Sequence, residues 1–269
     1  MPSDSIDLCW VDGKLLSGKR AVVRSDDSAF REGRGCLTTL RIAAGQPRFV
    51  DRHVKRLQDG AKALRLGEVA EATIRRALAE LGEATLPNGE GVIRLQVSRD
   101  DDGTTHLIGT ARRIGNDPSE WSAIIVTLSH DGASLVDGMK VTSRLTLSLA
   151  AEDARAAGVD EAVLLNANGH LIEGASSNLF VASREGALWT PRIASGAVAG
   201  IARTLALERI PEIEERDIAK PELLAAEELI AVNAVRGARP ITRLNDRKVG
   251  EGQPGPWNAR LADALATGE

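Results

Sequence analysis

One ten-residue segment, Leu171-Ile172-Glu173-Gly174-Ala175-Ser176-Ser177-Asn178-Leu179-Phe180, constrains the fold more than any other. Its ends, with residues 163–165 before the Asn168-Gly169 turn and 179–181 after, read as buried strands. Its middle places a carboxylate, a glycine, two hydroxyls and an amide where a plain strand pair would alternate apolar side chains. Polar groups between core strands must find partners. The run is therefore either a solvated serine-rich loop or part of a site.

Around this segment the pattern is mixed. Asp12-Gly13 between residues 6–11 and 14–16 is a hairpin signal. A second hairpin is expected from residues 36–43 and 48–50 around Gly45-Gln46. The spacing of Val54, Leu57, Ala61 and Leu64 predicts a helix over 51–64 with Asp51 as its cap, and a second helix covers 70–81. Residues 91–98 and 106–111 read as strands around an acidic turn, 100–103. The turn-rich stretch 115–121 divides the chain, giving a small domain over 1–114, a linker over 115–121 and a larger domain over 122–269. The second half reads as a strand at 124–128, a helix over 143–157 stopped by Gly158, and strands at 162–165, 171–173, 179–182 and 188–190. A helix opened by Gly200-Ile201 and strands at 229–232 and 239–244 complete it. Strands and helices do not alternate strictly, so the fold class is α+β.

Composition removes several function classes. An apolar fraction of 43% and a charged fraction of 27% over 269 residues are ordinary for a globular protein. A net charge of −4 leaves no electrostatic footprint for nucleic acid or an anionic membrane, and no apolar run is long enough to span one. The N-terminus lacks the pattern of a signal peptide, and two isolated cysteines suit a reducing compartment, so a cytoplasmic protein is expected. Four histidines without HxH, CxxC or HExxH spacing argue against a metal site. Tyrosine is absent, so no step can use a phenol from this chain.

Three pieces of chemistry stand out. Lys140 follows Gly138-Met139 ahead of a helix, with Arg144 four residues on. A lysine amine attacks aldehydes only when burial or a neighbouring cation lowers its pKa; otherwise it is a solvated helix-start lysine. Glu173 at a buried strand end needs a cation or donors, and a protonated pyridine nitrogen would be such a partner. The small-residue loop 195–200 feeding a helix at Ile201 offers free N–H groups to a phosphate, with Arg56 as a bidentate cation. An amine, a carboxylate and a phosphate-ready helix start are the parts that bind pyridoxal 5′-phosphate.

With those parts in view, the chain resembles the fold-type IV pyridoxal-phosphate enzymes, the class IV aminotransferase-like group. The matching segments are GRGCLTTLR (33–41), FVDRHVKRL (49–57), GMKVTSRL (138–145), 157–180, SGAVAGIAR (195–203) and AVNAVRGARPI (231–241). The resemblance implies a two-layer α/β N-terminal domain, a pseudo-barrel C-terminal domain, a cofactor between them and a homodimer. It implies Lys140 as Schiff-base lysine and acid/base, and Glu173 on the pyridine nitrogen. Arg56 and the amides of Ile201 and Ala202 would hold phosphate. Asn233 and Ala234 would supply amides nearby, and Ser177 and Asn178 would order the cofactor turn.

Within the group, residues 35–41, 56–59 and 92–99 look most like 4-amino-4-deoxychorismate lyases, as does Arg144-Leu145, although the D-amino-acid enzymes also carry a leucine there. That subgroup implies conversion of 4-amino-4-deoxychorismate to 4-aminobenzoate and pyruvate, with Thr38 or Thr39 orienting or relaying a proton. Branched-chain aminotransferases carry a tyrosine at the position of Leu145, which counts against that subgroup. A D-amino-acid or branched-chain aminotransferase remains the alternative, and a non-catalytic binding relative the remote one. Two departures stand out: Arg34 where the family has an aspartate, and Ala202 where it often has a hydroxyl.

Overall fold

A computed structural model describes residues 5–20, 23–126, 136 and 138–266. The chain divides into two compact units, Met1–Asp117 with Met139–Ser143, and Pro118–Gly138 with Arg144–Gly268.

In the first unit, β1 (Ser5–Val11) and β2 (Lys14–Leu16) form the expected hairpin, with Asp12 and Gly13 both at positive φ as a tight two-residue turn requires. Helix α1 (Ser28–Glu32) is capped by the Asp27 carboxylate, which accepts from the Ala29 and Phe30 N–H groups. Strand β3 (Cys36–Ala43) turns at Ala44-Gly45 into β4 (Gln46–Pro47). This second hairpin closes earlier than the 48–50 pairing expected, and Pro47, which has no N–H to donate, sits on the sheet edge. Helices α2 (Val50–Ala63) and α3 (Glu71–Thr85) precede β5 (Gly91–Arg99) and β6 (Thr105–Arg113). Asp51 is not the cap of α2: Phe49 takes that position at φ 55, and the Asp51 carboxylate lies in the first turn, paired with Arg75. An acid there still complements the helix dipole.

The six strands form an antiparallel sheet in the order β2-β1-β6-β5-β3-β4. Trp10, Leu40, Leu57, Ile74, Leu81, Ile93 and Leu95 fill the layer between sheet and helices, each fully buried. Each such side chain contributes about 1.5–3 kcal/mol. Helix α2 lies so close to β3 that a Cβ at Gly60 would stand 2.9 Å from the Cys36 Cβ.

At one end of this sheet His106 Nδ1 meets Asp12 Oδ2 at 2.7 Å and its Nε2 meets Asp100 Oδ2 at 3.0 Å. Burial pulls the imidazole pKa down, but the two carboxylates outweigh it and the net shift is upward. The stabilisation is therefore complete below the ordinary histidine pKa and fades as pH rises through the raised folded value. The urea midpoint is expected to fall between pH 6 and pH 8.5, and a His106→Gln variant to flatten that slope. Equal slopes in the two proteins would refute the clamp.

The second unit contains β7 (Trp121–Ile125), α4 (Leu145–Ala156), β8 (Glu161–Leu165), β9 (Leu171–Gly174), β10 (Asn178–Ala182) and β11 (Leu188–Pro191). It continues through α5 (Ile201–Arg209), β12 (Glu214–Arg216), α6 (Lys220–Leu224), β13 (Glu228–Asn233), β14 (Gly237–Leu244), β15 (Arg247–Lys248) and α7 (Pro256–Ala266). Strand β7 begins at Trp121, before the 124–128 span expected, and Leu128 lies outside the described residues. Gly158 ends the α4 region at φ 72, as anticipated.

These strands make one sheet in the order β12-β11-β10-β13-β14-β7-β8-β9, with β15 on β14. Five steps separate β10 from β9, about 24 Å if the sheet were flat. Only Ala175–Ser177 connects the two strands, a reach of about 15 Å. The sheet therefore curls, giving the half-barrel of the fold-type IV architecture. No helix among the described residues is long and apolar enough to cross a membrane.

Candidate active site

In the first unit, the segment carrying Lys140 is held along the edge of β3. Leu37 N–H donates to Lys140 O at 2.9 Å, Thr142 N–H to Gly35 O at 2.9 Å, and Cys36 bridges Val141. These bonds place Met139–Ser143 with the first unit, although the division at 115–121 assigns the segment, Lys140 included, to the larger domain. The approach needs the two glycines of Gly33-Arg34-Gly35. A Cβ at Gly33 would meet the Ser143 Cβ at 2.9 Å, and one at Gly35 would meet Val97 O at 2.9 Å. Arg34 itself turns to Glu32, with Nε 2.9 Å from the carboxylate.

Thr38, expected with Thr39 near the reacting centre, is turned into the core. Its Oγ1 lies 2.5 Å from His53 Nδ1, and both side chains are fully buried between β3 and α2. Thr38 pairs with Leu95, a core residue, while Thr39 pairs with Arg94 on the opposite face. Thr38 was expected at the reacting centre because the sequence cannot say which of two adjacent threonines faces inward. His53, which sequence reasoning passed over, is pushed down to about 3 by burial first and then by the charges of Arg56 and Lys140. It is a neutral imidazole at any physiological pH. Arg56, one helical turn on, is largely buried, and the loss of water lowers its guanidinium to about 10. It remains a cation at neutral pH.

In the second unit, Glu173 is buried on β9. Its Oε2 accepts from Val198 N–H at 3.0 Å and from Asn178 Nδ2 at 3.3 Å. Asn178 Nδ2 also donates to Val198 O at 2.8 Å, so one amide ties the carboxylate to the loop before α5. Gly200 ends that loop, and a Cβ there would fall 1.9 Å from Asn178 Oδ1. Gly200 supplies no side-chain cap to α5. The N–H groups of the first turn, Ile201 and Ala202 among them, have no carbonyl within their own helix. Both side chains are buried, so Ala202 contributes packing and a backbone amide.

Ser177, buried beside Asn178, donates its hydroxyl to Glu161 at 2.7 Å. Asn233 Oδ1 accepts from Val235 N–H at 3.0 Å and Arg236 N–H at 2.8 Å, shaping the turn through Ala234 between β13 and β14. Asn233 Nδ2 reaches Ser176 O at 3.4 Å.

The arginines separate by surroundings. Arg99 donates to the carbonyl of Gly103 in the β5–β6 turn and to that of Arg65 after α2. Arg236 stacks over the Trp121 ring at 5.8 Å. Arg144, the N-cap of α4, donates to Ala175 O at 3.3 Å; burial lowers its pKa and the charge of Glu173 opposes that shift. Arg94 stands across from Thr39. Among the described residues no group of three His, Cys, Asp or Glu is placed to hold a metal ion.

Comparison with known proteins gives concordant results. The family model for amino-transferase class IV matches residues 35–244. A probable branched-chain-amino-acid aminotransferase of Aquifex aeolicus is 24% identical, over 98% of this chain and 92% of its own length. The structure of 4-amino-4-deoxychorismate lyase from Pseudomonas aeruginosa superposes with a TM-score of 0.82 at 26% identity, covering 96% of this chain and 98% of that one. A hypothetical aminotransferase from Mycobacterium tuberculosis, solved in a PLP-bound form, gives 0.83 at 19% identity over 96% and 97%, a likeness of fold.

Proposed function

The chain belongs to the class IV aminotransferase family, and from that premise we propose that it is a pyridoxal-phosphate-dependent lyase converting 4-amino-4-deoxychorismate to 4-aminobenzoate and pyruvate, working as a homodimer. The residues present fit the cofactor. Lys140 would offer the amine and the buried Glu173 an anion for a protonated ring nitrogen, while Arg56 in the first unit and the uncapped start of α5 in the second each offer partners of the kind a phosphate takes. A side chain at Gly200 would collide with the Asn178 amide that holds Glu173.

Bound pyridoxal phosphate supplies an aldehyde for the substrate amine and a ring that delocalises the charge left when the neighbouring C–H loses its proton. Lys140 removes that proton from the amine-bearing carbon and returns one to the methylene carbon of the departing enolpyruvyl group. Glu173, held by Val198 and Asn178, keeps a proton on the ring nitrogen. Arg94 pairs with a substrate carboxylate, and the Thr39 hydroxyl beside it orients the ether oxygen that leaves.

The observation that carries the lyase reading is the Thr39–Arg94 pair on the β3 face opposite the core, two residues from the Leu37 amide that anchors Lys140. The absence of tyrosine from the whole chain agrees with it. The test is a coupled assay on cofactor-loaded protein supplied with 4-amino-4-deoxychorismate. Pyruvate and 4-aminobenzoate are expected in equal amounts, and loaded protein that releases no pyruvate would sink the lyase reading. The aminotransferase relatives favour a second reading, in which an amino acid without keto acid drives the cofactor to its pyridoxamine form, with the matching change in absorbance.

A further inference from the structure

Glu161, at the start of β8 and 2% exposed, is a buried acid of the second unit that this chemistry leaves unused. Its Oε2 accepts from Ser176 Oγ and Ser177 Oγ, both at 2.7 Å, and its Oε1 from Ala162 N–H at 3.0 Å. No cation meets it among the described residues. Burial raises its pKa against the pull of the serine and backbone donors. An acid placed this deeply is costly to retain unless its hydrogen bonds do something a leucine could not.

They hold a turn. Ala175–Ser177 is the short link between β9, which carries Glu173, and β10, which begins with Asn178. Both of its hydroxyls end on one Glu161 oxygen, Gly174 N–H closes onto Ser177 O at 2.7 Å, and Ala175 N–H onto Ala162 O at 2.9 Å. Space for this is made by Gly174, whose Cβ would stand 2.6 Å from Ser177 Oγ and 2.9 Å from the Glu161 carboxyl carbon. The Glu-Gly-Ala-Ser-Ser-Asn run of this chain, 173–178, thus has a partner that the segment itself does not contain.

We propose that Glu161 is a positioning residue: by gathering Ser176 and Ser177 it sets the turn that aims Glu173 and Asn178, and through them the seat of the cofactor ring. The cofactor half of this inference rests on the function proposed above; the turn itself does not. Glu161→Gln keeps the shape, and the serine hydroxyls can rotate to accept from its amide, so the turn survives without the charge. Glu161→Ala removes the anchor.

Hydrogen exchange of cofactor-free protein reads the turn directly. In Glu161→Ala the Gly174 and Ala175 amides are expected to exchange at least about tenfold faster than in wild type. The dissociation constant for pyridoxal phosphate, from absorbance titration, is expected to rise about tenfold as the two contacts to Glu173 loosen. Glu161→Gln should stay within about threefold of wild type on both scales, a rescue that a charge-based role would not allow. Unchanged exchange in Glu161→Ala, or a glutamine variant as damaged as the alanine one, overturns the proposal. If Glu161→Ala does not accumulate, Ser176→Ala/Ser177→Ala takes its place, and wild-type exchange there overturns the proposal equally. Wild-type protein without affinity for pyridoxal phosphate, together with accelerated exchange in the variants, would refute the cofactor reading while leaving the anchor standing.

Discussion

Replacing Lys140 with alanine is expected to lower turnover by about 10³-fold or more, in the upper part of the range for a positioned acid–base group. The same change should leave unfolding free energy within about 0.5 kcal/mol of wild type. The backbone contact is kept in either case, because the Lys140 carbonyl accepts from Leu37 N–H whatever side chain the residue carries. Lys140→Arg sharpens the result. Arginine retains the charge that His53 feels but does not deprotonate at any working pH. It should be as inactive as alanine, whereas a purely electrostatic lysine would be rescued. Measured turnover of either cofactor-loaded variant above about a tenth of wild type would refute the assignment.

Glu173→Gln is the second large effect, an expected loss of about 10²–10³ in turnover, the scale of removing one preorganised electrostatic contact at a reacting centre. The glutamine oxygen can still accept from Val198 N–H, so the loop before α5 should stay in place and the melting temperature should barely move. What disappears is the negative charge that keeps a ring nitrogen protonated. Glu173→Ala adds a second penalty, because Val198 N–H and Asn178 Nδ2 lose an acceptor inside the unit. An unmet buried donor costs about 1–3 kcal/mol, so this variant should lose stability as well as rate. A glutamine variant with wild-type turnover would remove Glu173 from the chemistry.

Much of this arrangement was legible in the sequence, for identifiable reasons. Strand ends and helix stripes announce themselves through local period, and so 171–180, α2 and α4 were placed close to where they lie. Misreadings arose where the deciding partner is distant. The α2 start shifts because Phe49 adopts a left-handed conformation that nothing in its own chemistry demands. Helix α7 went unread even though Pro256 opens it and Leu261 and Leu265 line one side, because its capping carboxylate belongs to Glu228 on β13. Thr38 and Thr39 are told apart only by the register of β3 on β5. Glu161 stands ahead of the apolar run 162–165 with nothing local to mark it, because its serine partners lie on the far side of a hairpin. In each case local pattern fixed the element and a non-local contact fixed its role.

The order of the second sheet also sets a timetable for the chain as it is made. Strand β7 lies between β8 and β14, and Ile241 stands beside Trp121 in parallel register. Its β8 edge can be covered once residue 165 has emerged, but the other edge waits for β14, some 115–120 residues downstream of β7 itself. Non-local parallel pairing of this kind forms slowly and leaves an open, apolar strand edge in the interval. On the ribosome, the Trp121–Ile125 strand is thus exposed for most of the synthesis of its own unit, and the unit cannot close before residue 244 leaves the exit tunnel. The half-barrel that holds Glu173 is among the last parts of the protein to come into being.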